Sequence, residues 1–388
     1  MSAATLHLEV PILPAAAEDL RLDVRAFIAE ERAGGRLPPP TKVGLGFSVE
    51  MTQRIAKRGW IGLTWPRVYG GQERSALERY VVTEELLAAS VPVGAHWIAD
   101  RQSGPVLLKF GSEAQKAFYL PRIAGGECFF CIGMSEPDSG SDLASLRSKA
   151  EKVPGGWRIN GRKIWTTNAH RVHYIIALVR TSTVEGSRHA GLTQLIVDLK
   201  APGVTISPIV SMAGEHDFNE VLFEDVFVPD DALIGQEGNG WNQVSAELAY
   251  ERSGPERWLS SFRLINELTT ALGPEARPSS LEALGRLLSH LLALRQLSLS
   301  VASMIQAGRP PNVEAAIVKD LGTKFEQEAV RVVRDIVSAE GLADGGDPRS
   351  GRLRALLMHA QLMAPAFTVR GGTNEILRGI IAKGIGLR

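Results

Sequence analysis

The chain has 388 residues, enough for two or three domains with a large buried core. Its 43 lysine and arginine residues balance 43 aspartate and glutamate residues, so the formal net charge is zero. This balance gives no electrostatic reason to expect nucleic acid or an anionic membrane surface as a partner. Two cysteines in so long a chain exclude a disulfide framework and fit a reducing compartment.

We expect neither a targeting segment nor a metal site. The N-terminal stretch lacks a basic start and soon reaches carboxylates, which is not typical of a signal peptide. The most apolar window, residues 287–306, carries His290 and Arg295, and both would be costly inside a membrane. Cys128 and Cys131 form a C-x-x-C pair without a second cysteine pair or nearby histidines, so we interpret them as two buried thiols on a strand. The pattern indicates a soluble cytoplasmic protein.

Helical spacing dominates the chain from about residue 16 to residue 125. Apolar residues recur three and four positions apart in DLRLDVRAFIAEERA, SVEMTQRIAKRGW and ALERYVVTEELLAAS. Ser112, before EAQKAFYLPRI, is suited to cap the N-terminus of a further helix. These stretches predict an all-α N-terminal domain over residues 1–127.

The period of the apolar pattern changes to two near residue 128, where β-branched and aromatic residues replace alanine and leucine. GWRINGRKIWTTN predicts a hairpin because Asn160 and Gly161, a pair that type I′ turns favour, separate two alternating stretches. YIIALVR, LTQLIVDL, VTISPIV and NEVLFEDVFVP predict further strands. We therefore predict a central β domain, a barrel or sandwich, over residues 128–238.

Helical spacing returns after GQEGNGW and continues to the C-terminus. The breaks GPEARPSS, AGRPPN and GLADGGDPRSG separate long amphipathic segments. Long helices with short connections are typical of an antiparallel bundle. Residues 239–388 are therefore predicted to form a C-terminal helical bundle, which makes the whole chain an α+β multidomain protein.

Two polar stretches of the β domain are suited to bind a ligand. CIGMSEPDSGSDLASL (131–146) is a strand that runs into a Gly/Ser/Asp loop, whose backbone N–H groups and small hydroxyls can face a ligand. In KIWTTN (163–168), Trp165 can lie along a flat ring system while Thr167 hydrogen-bonds its edge. An ordinary turn and a tryptophan in the core are the alternative interpretations.

Six stretches resemble, in the right order, signatures of the acyl-CoA dehydrogenases, a family of flavoproteins. They are GWIGLTWPRVYGG (59–71), FGSEAQKAFYLPRIAGGE (110–127), SEPDSGSD (135–142), INGRKIWTTNA (159–169), FNEVLFEDVFVP (218–229) and GGTNEILRGII (371–381). The resemblance extends over essentially the whole chain. It implies an N-terminal helical domain, a β domain and a C-terminal four-helix bundle, with FAD held between the last two and a neighbouring subunit.

The resemblance also implies which residues of the β domain bind FAD. Met134 and Ser135 match positions that contact the pyrimidine side of the isoalloxazine. Trp165 and Thr167 match positions that cover the ring near its reactive nitrogen.

The C-terminal stretch FTVRGGTNEILRGII (367–381) forms a polar loop in an otherwise helical region. Its glycines let the backbone approach a ligand closely, and a helix that starts near Asn374 presents N–H groups suited to phosphate. The resemblance places Thr373 and Glu375 where the family's loop reaches the FAD phosphates and adenosine. A plain glycine cap of the preceding helix is the alternative.

The resemblance implies a catalytic carboxylate. In the family's reaction this group removes the α-proton of the substrate while the flavin accepts a hydride from the β-carbon. In most members this Glu directly precedes the Gly-Thr of the C-terminal loop, where this chain has Gly371. A branch that includes enzymes for isovaleryl and long-chain substrates carries it on the first helix of the C-terminal bundle, and Glu251 matches that place. Glu247, one turn earlier, is the rival candidate. A solvated Glu251 paired with an arginine is the alternative.

The resemblance places the acyl-CoA substrate against Ser141, Leu248, Arg252 and Gly371. The family's Arg-x-x-Phe-Gly clamp for FAD is absent, and Arg277 is a candidate replacement. Electrons would pass to an electron-transferring flavoprotein, and the chain would form a homodimer or homotetramer, with a heteromer as a further option. A flavin monooxygenase-like enzyme, a non-catalytic heteromer subunit of the same fold and a scaffold without FAD are the alternatives to a dehydrogenase.

Overall fold

The computed structural model describes residues 6, 8–37, 39–342 and 348–387, without the side chains of 246–251 and 348–349. Helices come first, strands follow and helices end the chain, which confirms the predicted order of regions. The N-terminal helices are α1 (Ala15–Ala33), α2 (Val49–Lys57), α3 (Ala76–Ala88), α4 (Gly104–Phe110) and α5 (Glu113–Ala124). The strands are β1 (Phe130–Gly133), β2 (Lys149–Val153), β3 (Gly156–Thr167), β4 (Tyr174–Arg180), β5 (Leu192–Asp198), β6 (Val204–Ile209) and β7 (Phe218–Pro229). The C-terminal helices are α6 (Gly240–Glu251), α7 (Phe262–Ala271), α8 (Pro278–Gln306), α9 (Asn312–Ala339), α10 (Pro348–Phe367) and α11 (Asn374–Gly384).

The chain folds into two compact units. The first contains the described residues of Met1–Gly46, Ser75–Val91 and Ala249–Arg388, and the second contains Phe47–Arg74 and Pro92–Leu248. The first unit is helical, whereas the second holds the sheet together with α2, α4 and α5. The division falls within α6, which begins in the second unit.

Apolar side chains of α7 to α10 form the core of the first unit. Each fully buried leucine or valine stabilises such a core by about 1.5–3 kcal/mol. An ion-pair network joins three helices beside this core, because Glu84 of α3 accepts hydrogen bonds from Arg21 of α1 at 2.9 Å and from Arg295 of α8 at 2.7 Å. Core residues with no exposed surface include Leu264, Leu268, Val301, Val333, Leu353 and Leu356.

Helix α8 is long and apolar enough to cross a membrane by length and composition alone, and 39% of its most apolar window is buried. Two of its polar side chains nevertheless have partners inside the first unit. Arg295 pairs with Glu84, and Ser298 Oγ donates a hydrogen bond to Ser253 O at 2.5 Å. These contacts are those of a core helix. The leucines of α8 that join the core are Leu284, Leu287, Leu294 and Leu299.

The sheet of the second unit runs in the order β1-β4-β2-β3-β7-β6, and β5 pairs with β4. β1 lies parallel to β4, whereas β3 and β7 form a long antiparallel pair. Six successive residues of β5 are buried, as expected of a strand covered on both faces. Before the sheet, Ser112 caps α5 in a capping box with Gln115, which confirms the predicted N-cap.

The predicted hairpin at Asn160 and Gly161 is wrong, because β3 continues through both residues. The turn instead lies between β2 and β3, where Val153 pairs with Gly156. The Asn-Gly pair marks a β-bulge: β7 carries an extra residue there, and Asp225 has a φ of +58°. The Asn160 Oδ1 atom accepts a hydrogen bond from Asp225 N at 2.8 Å and so supports the bulge.

Both cysteines are buried, as predicted. The prediction that both lie on a strand is wrong for Cys128, which precedes β1, whereas Cys131 lies on that strand. Burial raises the pKa of the Cys128 thiol to about 12 and also raises that of Cys131. Among the residues that the structure describes, no group of three or more His, Cys, Asp or Glu side chains is arranged to hold a metal ion.

Candidate active site

Trp165 lies at a second bulge of the β3–β7 pair. The register shifts between Lys163 and Thr166, where β3 carries one residue more than β7. Trp165 has a φ of +59°, a left-handed conformation that is rare for a bulky residue and costs energy. The indole is 57% exposed and meets Phe218 edge to face, with 5.9 Å between ring centroids. An exposed flat ring on a strained bulge is suited to stack on a planar ligand.

Residues 134–136, which follow β1, are tied to β3 directly before Trp165. Ile164 N donates a hydrogen bond to Ser135 O at 2.9 Å. The Lys163 ammonium group donates to Met134 O at 3.3 Å. The two predicted residues of this segment therefore have their carbonyl groups fixed by the strand that carries the predicted indole.

Lys163 also forms an ion pair with Glu136, and their side chains are 0% and 7% exposed. The Glu136 carboxylate accepts further hydrogen bonds from the N–H groups of Arg147 at 2.6 Å and Ser148 at 3.0 Å. Burial lowers the pKa of Lys163 to about 8, against the attraction of Glu136. Burial alone would raise the pKa of Glu136, but Lys163 and the N–H donors outweigh it and lower that pKa. Both groups are therefore mainly charged near neutral pH.

The polar groups around Trp165 include hydroxyls that are available to a ligand. Ser135 and Thr167 are half-buried, and in the described part of the chain neither hydroxyl has a hydrogen-bond partner. Met134 packs its side chain against a small apolar cluster of the second unit. Ser141 is exposed in the same loop, six residues after Ser135. Four predicted cofactor residues thus lie on two adjoining segments: Met134, Ser135, Trp165 and Thr167.

The sequence pattern did not single out Asn219, which holds the other side of the Trp165 bulge. Asn219 is fully buried, and its Nδ2 donates a hydrogen bond to Thr166 O at 3.0 Å. Its Oδ1 lies 2.8 Å from His216 Nε2, and His216 stacks on His170 with 3.8 Å between ring centroids. An amide on an inward-facing position of β7 was the signal that could have identified it.

The glycine loop, residues 370–373, joins α10 to α11 in the first unit. Gly371 and Gly372 have φ values of +64° and +93°, which favour glycine. Thr373 is the N-cap of α11, and its hydroxyl accepts a backbone N–H of the first turn at 3.4 Å. The backbone N–H of Glu375 and the Thr373 hydroxyl lower the pKa of the Glu375 carboxyl. A phosphate at this helix terminus would compete with these internal acceptors.

Helix α9 fixes the glycine loop with buried charges that the sequence pattern did not single out. The Lys319 Nζ atom donates a hydrogen bond to Gly372 O at 2.6 Å. Arg370 pairs with Glu326 at 2.5 Å and donates to Ser260 Oγ at 2.8 Å. Lys319 and Glu326 have no exposed surface and lie seven positions apart on one face of α9. The loop is therefore held in one conformation from within the first unit.

Arg252 lies beside the glycine loop, since a methyl group placed on Gly372 would be 3.8 Å from Arg252 Nη2. Helix α6 ends at Glu251, directly before this arginine. The side chains of Glu251, of its rival Glu247 and of Leu248 lie outside the described residues. Predicted residues that lie on or beside the loop in the first unit are Arg252, Gly371, Thr373 and Glu375. The proposed clamp residue Arg277 directly precedes α8.

Three family models match consecutive parts of the chain. The model described as Acyl-CoA dehydrogenase, N-terminal domain matches residues 14–127. The model of the middle domain matches residues 131–226, and the model of the C-terminal domain matches residues 238–386.

Proteins of known identity resemble the chain over nearly its full length. Acyl-CoA dehydrogenase IpdE1 of Mycobacterium tuberculosis is 33% identical over 381 residues, which cover 94% of this chain and 96% of the relative. The solved structure described as the Tcur3481-Tcur3483 steroid ACAD has a TM-score of 0.83 at 29% identity, covering 97% of this chain and 98% of that one. The ChsE4-ChsE5 complex from Mycobacterium tuberculosis gives a TM-score of 0.80 at 29% identity, with 98% of each chain covered.

Proposed function

The chain belongs to the acyl-CoA dehydrogenase family, and we propose that Glu251 is the base with which it dehydrogenates an acyl-CoA thioester. Family membership makes the protein an oxidoreductase that acts on acyl-CoA and uses FAD. The identity of the base, the acyl group and the electron acceptor are the parts of this proposal that go beyond family membership.

The residues of the second unit fit an isoalloxazine. When bound, FAD would supply the oxidant of the reaction, an isoalloxazine ring that accepts a hydride from the β-carbon of the substrate. The exposed indole of Trp165 offers a face for the ring, and Ser135 and Thr167 offer hydroxyls without internal partners. The strained φ of Trp165 supports a functional reason for its exposure. We assign Met134 to the same set, and Thr373 and Glu375 to the remainder of the cofactor.

The observation that carries the assignment of the base is the backbone of Gly371. Its φ of +64° belongs to the left-handed region, so the loop is built for a residue without a side chain. A glycine has no group that can accept the α-proton, and another carboxylate is required. Glu251 ends α6 and directly precedes Arg252, which lies beside the glycine loop. We therefore assign proton removal to Glu251.

The neighbouring residues support a place for the thioester near the glycine loop. Arg252 supplies a cation, and Ser141 and Leu248 are proposed to contact the CoA and acyl parts of the substrate. Because Gly371 has no side chain, it leaves room beside the α-carbon. One relative is described as a steroid ACAD, which supports a bulky acyl group for this chain as well.

We propose an electron-transferring flavoprotein as the acceptor of the electrons and a homodimer or homotetramer as the assembly. A heteromer is the second candidate assembly, since one solved relative is described as a complex of ChsE4 with ChsE5. If the purified chain binds FAD and reacts with acyl-CoA in the absence of any second chain, the homo-oligomer is favoured. Reaction only in the presence of a second, related chain would favour the heteromer.

The proposed base is tested with the Glu251→Gln variant, which keeps the shape of the side chain but removes its basicity. We expect FAD to remain bound and the rate of anaerobic flavin bleaching by acyl-CoA to fall by about 100- to 10,000-fold. A panel of linear, branched and polycyclic acyl-CoA thioesters identifies the substrate in the same assay. Short linear chains as the best substrates would contradict the bulky acyl group.

Glu247→Gln is the matched control, because Glu247 lies one turn earlier on the same helix. We expect it to keep most of the bleaching rate. Loss of bleaching in Glu247→Gln with a normal rate in Glu251→Gln would transfer the role to Glu247. A wild-type flavoprotein that the substrate never bleaches anaerobically, but that inserts an oxygen atom from O2 into the substrate once an added reductant has reduced its flavin, would favour a monooxygenase.

A further inference from the structure

A buried lysine connects the two segments that the proposed function assigns to the isoalloxazine. Lys163 lies on β3 with no exposed surface, two residues before Trp165. A buried ammonium group is costly unless its partners are well placed. Its partners are Met134 O at 3.3 Å and Glu136 Oε1 at 2.7 Å, which belong to the segment after β1.

We propose that Lys163 is a positioning residue for FAD, which holds residues 134–136 so that the donors of Ser135 remain available to the cofactor. The inference rests on the proposed function, since it concerns the same cofactor. Lys163 has no contact with substrate in this role and acts through the segment that it holds.

The distribution of hydrogen bonds in this segment supports the proposal. Its acceptors are used internally, because Lys163 binds Met134 O and Ile164 N binds Ser135 O. The donors of Ser135 are not: over the described ranges of the chain, its N–H and hydroxyl have no hydrogen-bond partner, whereas Glu136 N donates to Ser139 O at 2.8 Å. Buried backbone groups are normally paired. A residue such as Ser135, whose carbonyl is satisfied and whose donors are open, is suited to the carbonyl oxygens and ring nitrogens of an isoalloxazine.

The ion pair fixes the far end of the segment in the same way. Glu136 is anchored by the N–H groups of Arg147 and Ser148, which follow the serine-rich loop. Lys163 therefore links three elements: the segment, the end of that loop and the strand that carries Trp165. Together with the hydrogen bond from Ile164 N to Ser135 O, the Lys163 side chain sets the separation between Ser135 and the indole. This separation decides whether both can contact one ring system.

The test uses apoprotein and measures FAD affinity, the visible flavin spectrum and the melting temperature. Lys163→Met removes the ammonium group while keeping a side chain of similar length, and we expect a lower melting temperature because Glu136 loses its partner. The double variant Lys163→Met with Glu136→Gln removes the unpaired carboxylate, so its melting temperature is expected to recover. In both variants we expect the Kd for FAD to rise about tenfold and the flavin spectrum to shift.

Lys149→Met is the matched control, because Lys149 is an exposed lysine on the neighbouring strand β2. We expect it to match the wild type in all three measurements. A double variant with the wild-type Kd and flavin spectrum would overturn the proposal and leave Lys163 a purely structural residue.

If the variants do not fold, a crystal structure of the wild-type holoenzyme decides. Lys163 within hydrogen-bond distance of Met134 O beside bound FAD supports the proposal, and a Met134 carbonyl turned away from Lys163 overturns it. The proposed function fails separately: a wild-type flavoprotein that acyl-CoA does not bleach contradicts the dehydrogenase without affecting the FAD affinities. A wild-type chain that binds no FAD contradicts both.

Discussion

The resemblance to the acyl-CoA dehydrogenases places Gly371 where most members carry the catalytic glutamate. Its positive φ favours glycine, and the hydrogen bond from Lys319 to the next carbonyl group holds the loop in this conformation. A side chain at this position would cost about 1 kcal/mol in backbone strain. In the proposed function, both the use of Glu251 as the base and the room for a bulky acyl group therefore follow from a glycine at this position.

Gly371→Glu in the Glu251→Gln background tests whether both positions reach the same α-carbon. We expect the double variant to recover part of the bleaching rate, at a stability cost of about 1 kcal/mol from the positive φ. Flavin bleaching and thermal unfolding are the two measurements. Gly371→Gln in the same background is the control and should recover no activity. Absence of recovery with FAD bound and the fold intact would contradict a shared target.

A buried histidine makes the free energy of unfolding of the second unit depend on pH in the acidic range. His96 is 5% exposed, and its Nδ1 lies 2.9 Å from Thr52 Oγ1. Burial lowers the pKa of His96 to about 4 from its ordinary 6.5, although nearby Asp100 opposes the shift and Arg101 adds to it. The unfolded chain therefore takes up a proton at a higher pH than the folded chain does.

Above pH 6.5 we expect His96 to contribute its full share of the free energy of unfolding. As the pH falls from 6.5 to 4, the free energy of unfolding should decrease progressively by about 3 kcal/mol. Urea unfolding of wild type and His96→Gln across this range measures it, and the variant should show a flatter pH dependence. His290→Gln, at an exposed histidine of α8, is the control. Parallel curves for wild type and His96→Gln would contradict the assignment.

At the scale of elements, the pairing of β3 with β7 organises the candidate cofactor residues of the second unit. Its two bulges place left-handed residues on opposite strands, Asp225 on β7 and Trp165 on β3. An asparagine side chain supports each bulge: the exposed Asn160 bonds Asp225 N, and the buried Asn219 bonds Thr166 O. The second bulge is the one that exposes an aromatic ring.

Asn219→Ala is expected to destabilise the protein by about 1–3 kcal/mol, because the buried Thr166 carbonyl group loses a donor. It should also weaken FAD binding, since the Trp165 bulge loses its support. Urea unfolding and FAD titration measure the two effects. Asn160→Ala, at the exposed bulge, should cost less than about 1 kcal/mol and leave FAD affinity unchanged. Equal effects of the two substitutions would contradict a special role for Asn219.

For the whole molecule, the order of regions could be predicted because periods of 3.6 and 2 follow directly from how helices and strands bury one face. The hairpin prediction failed because a bulge and a type I′ turn use the same residue pair, and the difference lies in a strand about 65 positions away. The buried ion pair of Lys163 and Glu136 could not be predicted for the same reason, because each charge is paired with a residue 27 positions away in the sequence.

The residues of the candidate site divide in the same way. Trp165 and Thr167 could be proposed as cofactor residues because their chemistry is visible in the six consecutive residues KIWTTN, and their role stays a prediction. The residues that hold the glycine loop could not be predicted, because Lys319 and Glu326 lie in a helix whose sequence pattern is that of an ordinary amphipathic helix. Only the packing of α9 against the loop shows that these charges are buried.

Proton exchange at the α-carbon of a bound 3-thiaacyl-CoA measures the role of Glu251 most directly, because the sulfur at the β-position prevents hydride transfer. In D2O the wild-type holoenzyme should exchange the α-proton, and Glu251→Gln should bind the analogue but exchange it at least about 100 times more slowly. Exchange at the wild-type rate in Glu251→Gln, with FAD and analogue bound, would show that another group removes the α-proton.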